Sequence, residues 1–272
     1  MKILVTGGCG YKGSVLIPKL LKKKHQVISV DTQWFGNYLP KHKNLKNIKL
    51  NVNEIEKISL KGVNTIIHLA SIANDPMAEL NKNTSWETSA LGTFNLLNHA
   101  VKNKVKRIIY ASSGSVYGVK PNLKVHENLS LNPISLYNKV KMITERVLLS
   151  YNKKIEVFIV RPATVCGYSP RMRFDISVNA LTIDALKNKE ISVYGGDQIR
   201  PNIHIDDMVR VYDFFIKNNP PNGIYNAGFE NVSIMEIAKY ISSKTNANLD
   251  VSISNDLKSY YHPVNHKILQ NL

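Results

Sequence analysis

Short runs that are apolar at nearly every position alternate with stretches of helical spacing, and this alternation constrains the fold more than any other feature. The runs are "KILVTG", "QVISVD", "VNTIIHLA", "VKRIIYASS" and "EVFIVRP". Between them lie "GSVLIPKLLKKK", "TSALGTFNLLNHAVKN" and "SLYNKVKMITERVLLSY". A strand with no polar face has no side to give to water, so both faces of its sheet must be covered by helices. The expected fold is α/β, a doubly wound parallel sheet. Pro18 removes one backbone bond from the first helix, where a local kink is expected. After about residue 166 the rhythm gives way to loops rich in Pro, Gly and Asn, such as "GYSPRMRFD", "YGGDQIRPN" and "NNPPNGIYNAG". The expected division is a first unit at 1–165, to which 203–221 returns, and a smaller unit built from 166–202 and 222–272. No internal repeat or low-complexity tract is evident.

Composition excludes several classes. The chain of 272 residues can bury a sizeable core. With 43% apolar and 21% charged residues it reads as an ordinary globular protein. No apolar run reaches 18 residues, so no membrane-spanning helix and no membrane partner are expected. The apolar stretch at the N-terminus is too short for a signal peptide. Two cysteines, Cys9 and Cys166, make no disulfide framework and suit a reducing, cytoplasmic setting. The net charge of +16 raises the question of nucleic acid. It is carried by 29 Lys against 7 Arg, and the lysines are scattered rather than striped. The one tight run, Lys22-Lys23-Lys24, falls at a helix end, where cations suit the dipole. A compositional bias accounts for the charge better than a nucleic-acid role, although a basic surface favours anionic small molecules.

Chemistry enters with "TGGCGYKG", where Gly7, Gly10 and Gly13 follow a strand and open a helix. Glycines let a backbone approach a pyrophosphate closely, and the free N–H groups of the helix start face the anion. The second strand ends at Asp31, 18 residues after Gly13. An acid there accepts hydrogen bonds from both adenosine ribose hydroxyls and repels a 2′-phosphate, which favours NAD over NADP. Further on, Tyr137 and Lys141 lie four residues apart, on one face of a helix. A tyrosine of ordinary pKa, about 10, is a poor base at neutral pH, and a neighbouring ammonium lowers that value. Upstream, Ser112, Ser113 and Ser115 place hydroxyls at the end of a strand, where a parallel sheet binds its ligands.

The series "TGGCGYKG", Asp31, "IIHLAS" (66–71), "ASSGSVYG" (111–118), "YNKVK" (137–141), "VRPATVCG" (160–167) and "RPNIHIDD" (200–207) covers nearly the whole chain. In this order it resembles the extended short-chain dehydrogenases/reductases, in their nucleotide-sugar epimerase and dehydratase branch. The resemblance implies a Rossmann-type sheet that binds NAD, a smaller substrate-binding region, and a nucleotide-sugar substrate. It implies Ser113, Tyr137 and Lys141 as the catalytic set. Ser113 would hold the reacting hydroxyl, Tyr137 would be general base and acid, and Lys141 would hold the nicotinamide ribose. The cofactor would also meet Gly7, Gly10, Tyr11, Lys12, Gly13, Asp31, Asn51, Val52, Leu69, Ala70, Ser71 and Ser89. Ser113, Thr164, Arg200 and Asp256 would meet the substrate, Arg200 by gripping its diphosphate. No metal is implied. Cys9, Cys166, His68 and His204 are expected to be structural.

Several positions depart from the family pattern. The Asp-Glu pair of the 4,6-dehydratases is replaced by Gly114-Ser115, which disfavours that elimination. Asn51 replaces an acid near the adenine, and Ser89 stands where Asn is frequent. Ile253 stands in place of an Arg of the diphosphate clamp, and family members continue beyond "HKILQNL", so a truncated or shorter form is expected. Lys12 stands where the family has an aliphatic residue. The expected activity is an NAD-dependent nucleotide-sugar epimerase with a transient 4-keto intermediate, in the manner of UDP-glucose 4-epimerase. A 4-dehydrogenase, 4-ketoreductase or dehydratase on the same scaffold is the alternative, and a non-catalytic NAD- or RNA-binding relative is the alternative of another class. A homodimer through "TFNLLNHAVKN" and "YNKVKMITERVLL" is expected by analogy.

Overall fold

The computed structural model describes residues 1–120 and 124–252. The first half alternates as its apolar runs require: β1 (Lys2–Thr6), α1 (Gly13–Lys22), β2 (Gln26–Asp31), β3 (Leu45–Lys49) and β4 (Val63–His68). Then come α2 (Asp75–Leu80), α3 (Lys82–Trp86), α4 (Gly92–Lys102), β5 (Arg107–Ala111), α5 (Leu136–Leu149) and β6 (Glu156–Pro162). A π turn at Glu87–Leu91 joins α3 to α4. The second half holds β7 (Thr164–Cys166), α6 (Ser177–Asn188), β8 (Glu190–Tyr194), β9 (Ile199–His204) and α7 (Ile205–Lys217). It ends with β10 (Gly223–Ala227), β11 (Glu230–Ser233), α8 (Ile234–Thr245) and β12 (Asn248–Ser252).

Seven strands form one Rossmann-type sheet in the order β10-β6-β5-β4-β1-β2-β3, and all its pairings are parallel. Successive side chains of a strand point to opposite faces. The continuous apolar runs therefore feed two cores at once. Ile3, Val5, Ile67, Ile109 and Phe158 join Leu16 and Ile17 of α1 and Met208, Tyr212 and Phe215 of α7. Leu4, Ile66, Ile108, Val157 and Ile159 join Leu96, Leu97 and Ala100 of α4 and Leu148 of α5. Each fully buried Val, Leu, Ile, Met or Phe among them stabilises the fold by roughly 1.5–3 kcal/mol. Helix α1 runs unbroken through Pro18.

The second half lays α7 on the α1 side of the sheet, where Lys19 pairs with Asp206 and Lys23 with Asp213. The chain returns to the sheet further than residue 221: β10 pairs with β6 and forms its edge. "GIYNA" is short and follows a Pro-rich loop, so its strand signal is weak, but Ala227 is fully buried against the sheet. Around a separate small core, α6 and α8 pack with the parallel pair β8–β12. A three-stranded sheet, β11-β9-β7, connects the two regions. Among the described residues no helix is long and apolar enough to cross a membrane.

Candidate functional site

The strand order reverses between β1 and β4, each the first of an outward series. Loops leaving the C-terminal ends of those strands part there and open a crevice. The glycine turn follows β1. Gly7 has φ +70°, and a Cβ on it would lie 2.6 Å from the Ala70 nitrogen, so the turn packs directly on the end of β4. A Cβ on Gly13 would lie 2.4 Å from the Gly8 carbonyl oxygen. The first contact holds the turn against the end of β4, the second against the start of α1. Among the described residues no hydrogen bond engages the N–H groups of Tyr11 and Lys12, just before that helix. Free N–H groups at a helix start are what a pyrophosphate needs.

A cavity of about 170 Å³ lies over this turn. It is lined by Gly7, Gly10, Tyr11, Lys12, Gly13, Asp31, Asn51, Val52, Leu69, Ala70 and Ser71, all of them expected at a cofactor. Asp31 accepts hydrogen bonds from Cys9 N at 3.0 Å and Gln33 N at 2.7 Å. Burial raises its pKa, and these two N–H groups work against that rise. Asn51 Oδ1 accepts from Asn53 N at 3.0 Å, which leaves its amide N–H groups for a ring acceptor. Ser89 stands in the π turn behind the lining and bonds Ser71, Oγ to Oγ, at 3.0 Å. The donor set fits a dinucleotide.

A second cavity, of about 590 Å³, gathers Ser113, Tyr137, Thr164 and Arg200. Ser113 ends the loop after β5, Thr164 opens β7 and Arg200 lies in β9. Ser113 Oγ accepts from Ser115 N at 3.2 Å and lies 2.7 Å from Ser115 Oγ, which in turn donates to Asn138 Oδ1. Tyr137 is the second residue of α5, after the N-cap Ser135 whose Oγ accepts from Asn138 N at 3.2 Å. There the helix dipole, like a cation, favours a phenolate. One turn on, Lys141 is buried and donates to the Ala111 carbonyl at 2.8 Å. Its Nζ lies 5.7 Å from the Tyr137 ring centroid. Burial, and then the charge of Lys12, push the Lys141 pKa well below the ordinary lysine value, against a smaller upward pull from Glu145.

Tyr11, Lys12, Ala73 and Arg173 line both cavities and form the wall between them. The Tyr11 hydroxyl donates to the Gly167 carbonyl at 2.7 Å and accepts from Asn179 Nδ2 at 3.2 Å. Ser169 Oγ donates to the Tyr11 carbonyl at 2.7 Å. Tyr11 thus ties the glycine turn to the loop after β7. That loop also brings Arg171, stacked 4.0 Å over the Phe35 ring in the first cavity. It carries Arg173 too, which forms a bidentate pair with Asp175 through Nε at 3.1 Å and Nη2 at 2.5 Å. Burial would raise the Asp175 carboxyl, but the bonds from Arg173 and Asn74 hold it down at about 2. Sequence reasoning missed Arg171, Arg173 and Asp175. Their signal was present: two of the scarce arginines stand two residues apart in "GYSPRMRFD".

Beneath both cavities a buried network ties the ends of the strands together. Glu145 of α5 pairs with Arg161 of β6 through Oε1–Nε at 2.9 Å and Oε2–Nη2 at 2.6 Å. Ser112 Oγ donates to Glu145 Oε1 at 2.5 Å. Arg161 Nη1 donates to the Tyr117 hydroxyl at 2.7 Å, and Tyr117 donates to Asn226 Oδ1 of β10 at 2.7 Å. The residues expected to be structural have partners of their own, and Cys9 also lines the first cavity. His68 sits between Thr6 at 2.6 Å and Thr93 at 2.8 Å, and burial holds it neutral with a pKa of about 3. His204 caps α7, accepting from Asp206 N at 3.3 Å. Cys9 is buried, its thiol pushed up to about 11 by burial and by the charge of Asp31. Cys166 Sγ bonds the Ile203 carbonyl at 3.7 Å. Asp256 lies outside the described residues.

The geometry has counterparts among known proteins. A family described as the NAD dependent epimerase/dehydratase family matches the chain over residues 3–228. An uncharacterised UDP-glucose epimerase, YtcB, of Bacillus subtilis is 36% identical over 227 residues, 77% of this chain and 71% of that protein. A provisionally named UDP-glucose 4-epimerase of Methanocaldococcus jannaschii is 32% identical over 216 residues, 76% of this chain and 71% of that protein. The structure of MoeE5 in complex with UDP-glucuronic acid and NAD matches with a TM-score of 0.85 at 25% identity, covering 100% of this chain and 92% of that one.

Proposed function

The chain belongs to the NAD-dependent epimerase/dehydratase family, and from that premise we propose that it inverts C4 of a nucleotide sugar through a transient 4-keto intermediate. One observation carries this reading. A chamber that gathers Ser113, Tyr137, Thr164 and Arg200 shares a wall with a chamber built for a dinucleotide. Gly7, Gly10, Gly13, Tyr11 and Lys12 would hold the NAD pyrophosphate, Asp31 its adenosine ribose and Lys141 its nicotinamide ribose. NAD, when bound, supplies the acceptor and then the donor of the C4 hydride. Tyr137 takes the proton of the sugar 4-hydroxyl onto its phenolate oxygen and gives it back after the keto sugar has turned over. The ammonium of Lys141 and the start of α5 favour that phenolate. Ser113, fixed by Ser115, donates to the same sugar oxygen. Arg200 and Thr164 hold the diphosphate and the sugar in place.

A dehydratase reading has no support in the loop after β5. A Cβ on Gly114 would lie 3.2 Å from the Pro162 carbonyl, so the backbone there is packed where that chemistry needs an acid. The test is a screen of UDP-, GDP-, dTDP- and CDP-sugars with product analysis by NMR. The expected result is a 4-epimer formed with no net change in NADH. Stoichiometric NADH production or consumption would replace the reading with a dehydrogenase or ketoreductase. Salt-sensitive RNA binding with no turnover of any sugar would replace it with a binding protein.

The proposed assembly is a homodimer. Leu91 (49% exposed), Phe94 (45%) and Ile143 (39%) leave apolar surface along α4, α5 and the π turn that leads into α4, far more than single surface side chains need. A second copy laid on the same face would cover it. Phe94→Glu is expected to shift sedimentation from dimer to monomer while the circular dichroism spectrum stays unchanged. A variant that sediments as the parent protein does, or a parent protein that is monomeric, overturns the assembly.

A further inference from the structure

The side chain of Lys12 is left over from the reading above, which gives the pyrophosphate only its backbone N–H. Its backbone is fixed as the N-cap of α1, its carbonyl accepting from Leu16 N at 3.0 Å. Its side chain lies on the wall shared by both chambers. Among the described residues the ammonium has no hydrogen-bond acceptor and no ion-pair partner. The charges that act on it or that it acts on, Arg173 and Lys141, are both positive. The nearby acids are already taken: Asp175 by Arg173, and Glu145 by Arg161. Burial, with Arg173, brings the Lys12 pKa down to about 8. Lys12 is half-buried on that wall, and a partly desolvated cation without a counter-charge costs stability unless a ligand brings one. A turn needs no such cation to hold its shape.

We propose that Lys12, with the unengaged Nη1 of Arg173 beside it, forms an anion subsite at the junction of the chambers. It takes an oxyanion presented there, either a phosphate of the dinucleotide or a carboxylate on the sugar. The inference rests on the reading of the two chambers as cofactor and nucleotide-sugar sites. A charge-assisted contact of this kind changes affinity by about tenfold or more.

The test compares the parent protein with Lys12→Met and Lys12→Arg, each checked for folding by circular dichroism. NAD binding is read by equilibrium dialysis at low and high salt. Binding of UDP-glucose and UDP-glucuronic acid is read by calorimetry. A tenfold loss of NAD affinity in Lys12→Met, with both sugars unaffected and with recovery in Lys12→Arg, assigns the subsite to a cofactor phosphate. A tenfold loss confined to UDP-glucuronic acid assigns it to a sugar carboxylate. Affinities for all three ligands within twofold of the parent overturn the proposal, and with parental binding intact they leave the epimerase reading standing. A parent protein that binds none of the three overturns the reading of the chambers, and the subsite with it.

Discussion

Replacing Tyr137 with phenylalanine is expected to abolish turnover while leaving NAD bound. The change removes one oxygen from a side chain whose ring stays in place. It sits in the first turn of α5, with Lys141 Nζ 5.7 Å from its centroid. Phenylalanine keeps the ring at the same helix position, so bound NAD measured in the purified variant should equal that of the parent. The proton of the sugar 4-hydroxyl, however, loses its acceptor. A positioned general base contributes typically about 10²–10⁴-fold, and a loss of at least that size is expected in kcat. Retention of more than a tenth of the parental rate would remove Tyr137 from the role assigned to it.

The largest effect on stability is expected from Glu145→Ala. Glu145 and Arg161 are both 2% exposed at the side chain. Removing one partner of such a pair leaves the other charge buried alone, at a cost of about 3–5 kcal/mol. Urea denaturation should show the midpoint falling accordingly, and with it the site, because Ser112 and Tyr117 hang on the same pair. The double change Glu145→Met with Arg161→Met should cost less than either single change, since it leaves no charge behind. A single variant as stable as the parent within about 1 kcal/mol would show that water or a neighbour compensates the orphaned guanidinium.

Local spacing made part of this molecule legible. Tyr137 and Lys141 share a helix face because they are one turn apart, and Gly7 to Gly13 lie between a strand and a helix within ten residues of each other. The apolar runs announce a buried parallel sheet because nothing else can accommodate strands without a polar side. What escaped notice depends on contacts across long stretches of chain. Tyr11 reaches Gly167, 156 residues on, and no period in the sequence links them. Arg173 reaches the wall beside Lys12 from a loop without secondary structure. Asn51 spends its carbonyl on its own turn, a choice made by backbone geometry rather than residue type. β10 enters the sheet because β6 offers an open edge, and its own five residues barely mark it as a strand.

The tie between Tyr11 and the loop after β7 also bears on how often the cofactor leaves. Tyr11 bonds Gly167 and Ser169, and Arg171 from the same loop lies over Phe35 above the dinucleotide chamber. A dinucleotide leaving through that side would have to displace this loop. An oxidoreductase that consumes its nicotinamide must exchange it every cycle, and such a loop would throttle it. A catalyst that hands back the hydride it took ends each cycle with its cofactor regenerated. For such a catalyst slow exchange carries no penalty, and the dinucleotide becomes a resident part of the protein, loaded once and used for its lifetime.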